Sequence, residues 1–368
     1  MSKGKVIVAM SGGVDSSVAA LLLHRQGYDV VGVTMRLWGV ERDDVPASQR
    51  RCCSVEDVED ARRVCHEIGV PHYFLNFEKE FQQHVIDYFV QEYDRGRTPH
   101  PCLACNDKIK FDFLLRRATF LEADYIATGH YGRVRTDADG RRSLLKGIDG
   151  SKDQSYVLFT LGQPELQKLL LPVGEFRKDV IREMAEEAGL TVANKPDSQE
   201  ICFIPDDNYR KFVSDRVKPR PGNLVSMRGE VLGTHPGIQF FTIGQRRGLG
   251  LRGSTEKPMY VTRINADSNE VVLGSQEDLM STTLWASRVT YVSGSLPDGS
   301  IEVEAKIRYK ADPSPATITP LSPDSAKVEF HQPQRAVTPG QAVVFYDGGS
   351  ILGGGYIEIE APVEAAVA

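Results

Sequence analysis

The sequence predicts an α/β protein: a parallel-sheet domain over residues 1–205, a small basic central module over 206–260 and a C-terminal β-barrel over 261–368. Three observations carry this. Short apolar runs alternate with helical patterns through the first 205 residues, as in a parallel sheet covered by helices. Residues 206–260 lose that periodicity and turn rich in Arg and Gly. From 261 onward "YVTRI", "EVVLG", "IEVEAKIRY", "AKVEF", "QAVVFYDG" and "YIEIE" follow one another between turn residues, the spacing of a small antiparallel barrel. A length of 368 residues fits two or three domains.

The first domain opens with "VIVAM", a β-branched run that reads as a buried parallel strand, followed after a glycine pair by the helical "SSVAALLLHRQG", which stops at Gly27. "DVVGVTMRLW" (29–38) reads as the second strand. "SVEDVEDARRVCHEIG" (54–69) reads as a helix with Ser54 as N-cap, Asp57 three residues on and Gly69 as its stop. "HYFLNF" (72–77) is a strand and a long helix runs from about Glu78 to Tyr93. "DRGRTPHPCLACND" (94–107) is dense in turn formers and is expected to be a loop. A helix over about 108–122 and the strand "DYIATGH" follow, and "RKDVIREMAEEAG" (177–189) is an amphipathic helix whose acids and bases are spaced for surface pairing.

With 41% hydrophobic and 26% charged residues the chain is an ordinary soluble globular protein. A first strand at Lys5 leaves no signal peptide, and no apolar run approaches membrane-spanning length, so the expected location is the cytoplasm, with no membrane partner. In that compartment the six cysteines are reduced, catalytic or metal-binding in preference to structural disulfides. A net charge of −6 argues on its face against a nucleic-acid partner. The charge is uneven, however: residues 206–260 hold ten Lys and Arg against five Asp and Glu. Such a basic middle is the footprint of a local polyanion contact or a solvated face.

"MSGGVDSS" poses a sharper question. It places Gly12 and Gly13 at a helix N-terminus, where exposed N–H groups and the dipole attract an anion. A tight turn without a ligand needs only one glycine. The stretch lacks the Gly-Lys-Ser/Thr ending of a Walker A loop and the Rossmann dinucleotide spacing. "SGGVDSS" straight after a strand resembles instead the PP-loop of ATP pyrophosphatases, a Rossmann-like fold of the adenine nucleotide α-hydrolase type. That resemblance implies that Ser11, Gly12, Gly13, Asp15 and Ser16 hold the leaving pyrophosphate and that Asp15 orients Mg²⁺. Cys102 and Cys105 in "TPHPCLACNDKIKF" form half a zinc site without a second half, or a redox pair. Cys52, Cys53 and Cys65 read as packing or loop residues.

Taken together, "AMSGGVDSSV", "GVTMRLW", "TPHPCLACNDKIKF", "ATGHYGR", "SKDQSYVLF", "DSQEICFI", "FTIGQRRGLG" and "TPGQAVVFY" resemble the bacterial tRNA-specific 2-thiouridylase family over essentially the whole chain. The resemblance implies ATP contacts from Ala9, Met10, Ser11, Gly12, Gly13, Val14, Asp15, Ser16, Met35 and Gly129. It implies Cys105 as nucleophile, Cys202 as the persulfide-bearing cysteine, and His100, Pro101 and Cys102 against the target base. Further tRNA contacts would come from His130, Lys152, Asp153, Gln154, Arg308, Tyr309 and Gln341. Arg246 and Arg247 of the basic module are expected to meet tRNA phosphates.

The chemistry that the resemblance implies needs these residue types. A uracil C2 oxygen leaves poorly until adenylated, and sulfur then arrives as a Cys persulfide, loaded by a sulfur-donor carrier protein. A second thiol can release it, leaving a disulfide to be reduced. One departure stands out: many family members have an aspartate where this chain has Cys102. Cys102, Cys105 and Cys202 could therefore ligate a [4Fe–4S] cluster, an alternative ranked second to the persulfide relay. Rival readings are a different PP-loop ligase, which needs no paired thiols, and a noncatalytic RNA-binding or sulfur-carrier protein.

Overall fold

The structure, a computed structural model, describes residues 2–38, 55–197, 201–204, 208–251 and 258–361. Cys52, Cys53 and the expected cap Ser54 lie outside the described residues. Strand β1 (Lys5–Ala9) leads through the glycine turn into α1 (Val14–Arg25), and β2 (Asp29–Arg36), α2 (Val55–Glu67) and β3 (His72–Asn76) repeat the alternation. Val6, Ile7 and Val8 are fully buried, as a strand covered on both faces must be. Helices α3 (Glu78–Phe81) and α4 (Asp87–Asp94) form one run joined by a π-helical turn over Gln82–Ile86.

The expected loop over 94–107 ends early. Helix α5 (Pro101–Ala104) begins inside it, continues as π-helix over Cys105–Phe113 and runs on as α6 (Leu114–Phe120). Pro101 sits at the first helical position, where its missing N–H costs nothing and its fixed φ favours the helix. Cys102 and Cys105 are therefore helical residues. Long π-helical stretches are rare and cluster at functional sites.

After β4 (Tyr125–Ala127), the hairpin β5 (Gly132–Thr136) and β6 (Arg142–Lys146) leaves the sheet, which α7 (Gln163–Leu166), β7 (Leu169–Leu170) and α8 (Lys178–Glu187) rejoin. The parallel sheet runs β3-β2-β1-β4-β7. Its order reverses between β1 and β4, so the turns leaving their carboxyl ends part to open a crevice, the usual ligand position in such sheets.

The central module has more regular structure than its composition suggests. It holds α9 (Tyr209–Ser214), β8 (Gly222–Ser226), β9 (Val231–His235), β10 (Tyr260–Asn265) and β11 (Glu270–Gly274), the strands forming one sheet ordered β10-β11-β8-β9. "YVTRI" and "EVVLG", grouped with the barrel in the sequence reading, thus belong here: Val261, Val271 and Leu273 cover Leu224 and Phe241 in a separate small core. The barrel itself is β12 (Met280–Tyr291), β13 (Ile301–Lys306), β14 (Ser314–Ser322), β15 (Ser325–Arg335), β16 (Ala342–Asp347) and β17 (Ser350–Glu358), closed by pairing of β12 with β17. Closure leaves these six strands without an open seam.

The barrel is stitched to the first domain. The β5–β6 hairpin extends the barrel sheet, pairing Leu144 with Ile351. Tyr156 donates its hydroxyl to Ala342 O at 2.9 Å, and Gln341 donates to Thr98 O at 2.8 Å. The Arg97 guanidinium bridges Glu92 and Glu358. One apolar core takes in Ile7, Met35, Cys105, Tyr156 and Phe203 together with Val344 and Tyr346 of the barrel. No helix among the described residues is long and apolar enough to cross a membrane.

Candidate active site

The glycine turn shows why two glycines stand together. Gly12 has φ +71°, and a Cβ there would lie 2.2 Å from Asp57 O, so both conformation and space demand glycine. A Cβ at Gly13 would meet only Ser11 Oγ, at 3.4 Å, an ordinary van der Waals distance. The fold leaves room for a side chain at 13, so packing does not explain the second glycine. The turn is braced from within: Ser16 Oγ accepts the Ser11 N–H at 3.2 Å, and Ser16 and Ser17 hydroxyls donate to Gly13 O. Gly129, after β4, presses against it, since a Cβ there would come within 2.6 Å of Ser16 N. Ala9 and Met35 reach the same edge from β1 and β2, Met10 and Val14 are buried, and Ser11 stays exposed.

Around Asp15 lies a charged network that the sequence reading missed. Asp15 Oδ1 accepts from Lys178 Nζ at 2.6 Å and from the Tyr131 hydroxyl at 2.8 Å. Lys178 also pairs with Asp197 at 2.9 Å, and Asp197 receives Lys152 at 2.9 Å and Arg182 at 3.1 Å. Asp149 accepts the Lys178 backbone N–H and the Ser151 hydroxyl, which hold its carboxyl below the usual range. Lys195 donates to Gly12 O at 3.0 Å while held by Asp57 and Asp60, both at 2.7 Å. Of the helix read as a surface element, Lys178 and Arg182 turn inward and the Arg177–Asp179 pair stays outside. No local spacing could reveal this, because Asp15 and Lys178 are 163 residues apart.

The cysteines separate by environment. Cys65 is buried under β2 and its thiol is pushed up to about 11 by that burial; a Cβ on Gly32 would lie 2.4 Å from its sulfur. Cys105 is buried in the main core, Cys202 is half-buried against the same core, and Cys102 is exposed on the turn before Cys105. Burial, then the charges of Asp153 and Cys102, raise the Tyr309 hydroxyl. Among the described residues no three His, Cys, Asp or Glu side chains gather closely enough to hold a metal ion. Cys102, Cys105 and Cys202 do not form such a group among the described residues.

The other expected contacts divide into wall and surface. His100 lies 6.0 Å from the Tyr156 ring, its Nδ1 buried without a hydrogen-bond partner among the described residues and its pKa lowered by burial to about 4; Pro101 beside it is buried. His130 is buried and bonded to Thr128 at 2.7 Å. Asp153 accepts the Gly147 and Ser155 N–H groups, Gln154 accepts the Tyr131 N–H, and Gln341 grips the Thr98–Pro99 backbone. Arg308 donates to Ala336 O at 2.6 Å, while Tyr309 stays exposed. Arg246 and Arg247 are exposed on the central module and pair with no carboxylate among the described residues.

Comparison with known proteins covers nearly the whole chain. Residues 4–206 match a family model described as a tRNA methyl transferase HUP domain, 210–275 its PRC-barrel domain, and 281–357 an aminomethyltransferase β-barrel domain. A protein of Clostridium perfringens named tRNA-specific 2-thiouridylase MnmA is 51% identical over 97% of this chain and 99% of its own length. One of Carboxydothermus hydrogenoformans with the same name is 51% identical over 97% and 98%. A solved 4-thiouridine synthetase–RNA complex with bound ATP covers 58% of this chain and 50% of its own at 19% identity, with a TM-score of 0.35, too loose a likeness to bear on function.

Proposed function

The chain belongs to the tRNA-specific 2-thiouridylase family, and on that footing we propose that it adenylates the C2 oxygen of a tRNA wobble uridine with ATP and replaces that oxygen with sulfur from a persulfide on Cys202. The reading is supported by Ala9, Met35, Cys105 and Cys202 all packing on one apolar core of the first domain. Methyl transfer, the word in the family-model descriptions, leaves no pyrophosphate to hold and gives the bare Gly13 backbone no task.

The division of labour follows. The turn amides and the α1 dipole hold the pyrophosphate. Asp15 is a half-buried carboxylate beside that turn, which suits Mg²⁺, an ion that takes one or two carboxylates along with phosphate oxygens. Mg²⁺ would supply charge neutralisation on those oxygens. The Cys202 persulfide attacks C2 and AMP leaves; the Cys105 thiolate then attacks the Cys202 sulfur, releasing 2-thiouridine and closing a Cys105–Cys202 disulfide that an external thiol reduces. Cys202 is only half-buried, as loading by a persulfide carrier protein requires.

Incubation with ATP, tRNA and a persulfide donor tests this. The expected result is AMP and pyrophosphate formation that depends on tRNA, with 2-thiouridine detected by mass spectrometry of the digested tRNA. ATP cleavage without tRNA, or amide formation in its place, would favour another ligase; tRNA binding without any ATP cleavage would favour a noncatalytic protein.

The exposed arginines make a second expectation. Arg246→Ala combined with Arg247→Ala should weaken tRNA binding and lower its salt slope by roughly 1 to 2 units, about one for each phosphate no longer neutralised. ATP binding and the melting temperature should not change, since neither arginine pairs with a carboxylate among the described residues. An unchanged slope with a lowered melting temperature would make these residues structural.

A further inference from the structure

Lys178 stands at the first position of α8 with its side chain only 10% exposed, a rare place for a lysine unless charges surround it. Its ammonium is shared between Asp15 and Asp197. Each carboxylate also has another donor. Asp15 keeps the Tyr131 hydroxyl, and Asp197 keeps Lys152 and Arg182. Burial alone would raise the Asp197 carboxyl, yet the bonds from Lys152 and Lys178 hold it down at about 2, so it remains an anion throughout the neutral range. The arrangement is one-sided: the acceptors have other donors, whereas the ammonium has two acceptors, one of them within the first turn of α1.

We propose that Lys178 is a phosphate-contacting residue of this site, handed from Asp197 to the β- and γ-phosphates of bound ATP, with Asp197 positioning it until the nucleotide arrives. The inference rests on the adenylation reading above. As the bond from uracil O2 to the α-phosphorus forms, the bond from that phosphorus to its bridging oxygen breaks. Pyrophosphate departs with the electron pair, and the uracil N3 proton passes to water. Negative charge grows on the bridging oxygen at that moment, and a preorganised ammonium stabilises it more than water would. The turn amides bind the anion before and after cleavage; the lysine answers the charge that develops during it.

Calorimetric titration of the full-length protein with inorganic pyrophosphate and Mg²⁺ tests this independently of tRNA chemistry. Lys178→Gln should weaken pyrophosphate binding about 10- to 100-fold, the worth of a charged hydrogen bond. AMP binding and the melting temperature should stay near wild type. Lys178→Arg should recover much of the affinity, and Asp197→Asn should change it far less than Lys178→Gln. Wild-type pyrophosphate affinity in Lys178→Gln, or equal loss of AMP and pyrophosphate binding in both Lys178 variants, would overturn the proposal. A wild-type protein that binds pyrophosphate through Lys178 but never thiolates tRNA would overturn the functional reading and leave this one standing.

Discussion

Cys105→Ser and Cys202→Ser will each stop 2-thiouridine formation, by ~10³-fold or more as loss of a covalent nucleophile does, whereas Cys65→Ser will leave it near the wild-type rate. A serine hydroxyl cannot carry persulfide sulfur and is a far weaker nucleophile than a thiolate. Cys65 differs in kind: its thiol is buried, raised to about 11 and fitted over Gly32 of β2. Because Cys105 also belongs to the main core, activity alone would not separate chemistry from packing. Pyrophosphate release does. Both active-site variants should still release it with tRNA in a single turnover, since adenylation precedes sulfur transfer. Loss of adenylation in Cys105→Ser would mark that cysteine as a packing residue. Cys102→Ser separates the two sulfur routes: the persulfide relay keeps activity in that variant, while a cluster needing three thiolates loses it. Equal loss in all four single variants would defeat the assignment.

How far the sequence could reach depended on the distance over which each feature is encoded. The strand, glycine turn and helix over Lys5–Arg25 are legible because every signal in them is local. The helical placement of Cys102 and Cys105 is not, since Pro99 and Pro101 read as breakers and only Pro101 proves to be a helix starter. The central sheet stayed hidden for a different reason: β11 pairs in parallel with β8, and nothing in either strand names a partner that far along the chain. The site shows the same limit. Gly12 and Asp15 announce themselves within one short motif, whereas Lys178, Asp197 and Lys195 reach it from helices and turns whose local patterns say only that they are charged.

Asp15→Ala will lower tRNA-dependent pyrophosphate release by ~10²- to 10³-fold, the usual effect of removing a preorganised electrostatic group from a reaction centre. Its carboxylate does two things at the turn: it anchors Lys178 at 2.6 Å and the Tyr131 hydroxyl at 2.8 Å, and it offers an oxygen ligand beside the phosphates. Alanine removes both. The folded state should tolerate the change, because Lys178 keeps Asp197 at 2.9 Å and is not left as a buried charge without a partner. Asp15→Asn sharpens the reading. It preserves shape and an acceptor for Tyr131 but carries no negative charge, so it should stay close to Ala in rate if charge is the contribution and recover toward wild type if shape is. tRNA affinity should change little in either variant, since the exposed arginines that would meet phosphates lie on a different module. Raised Mg²⁺ should rescue Asn in part and Ala less, as a neutral amide oxygen is still a ligand. Full-rate pyrophosphate release in Asp15→Ala would remove Asp15 from the ATP site.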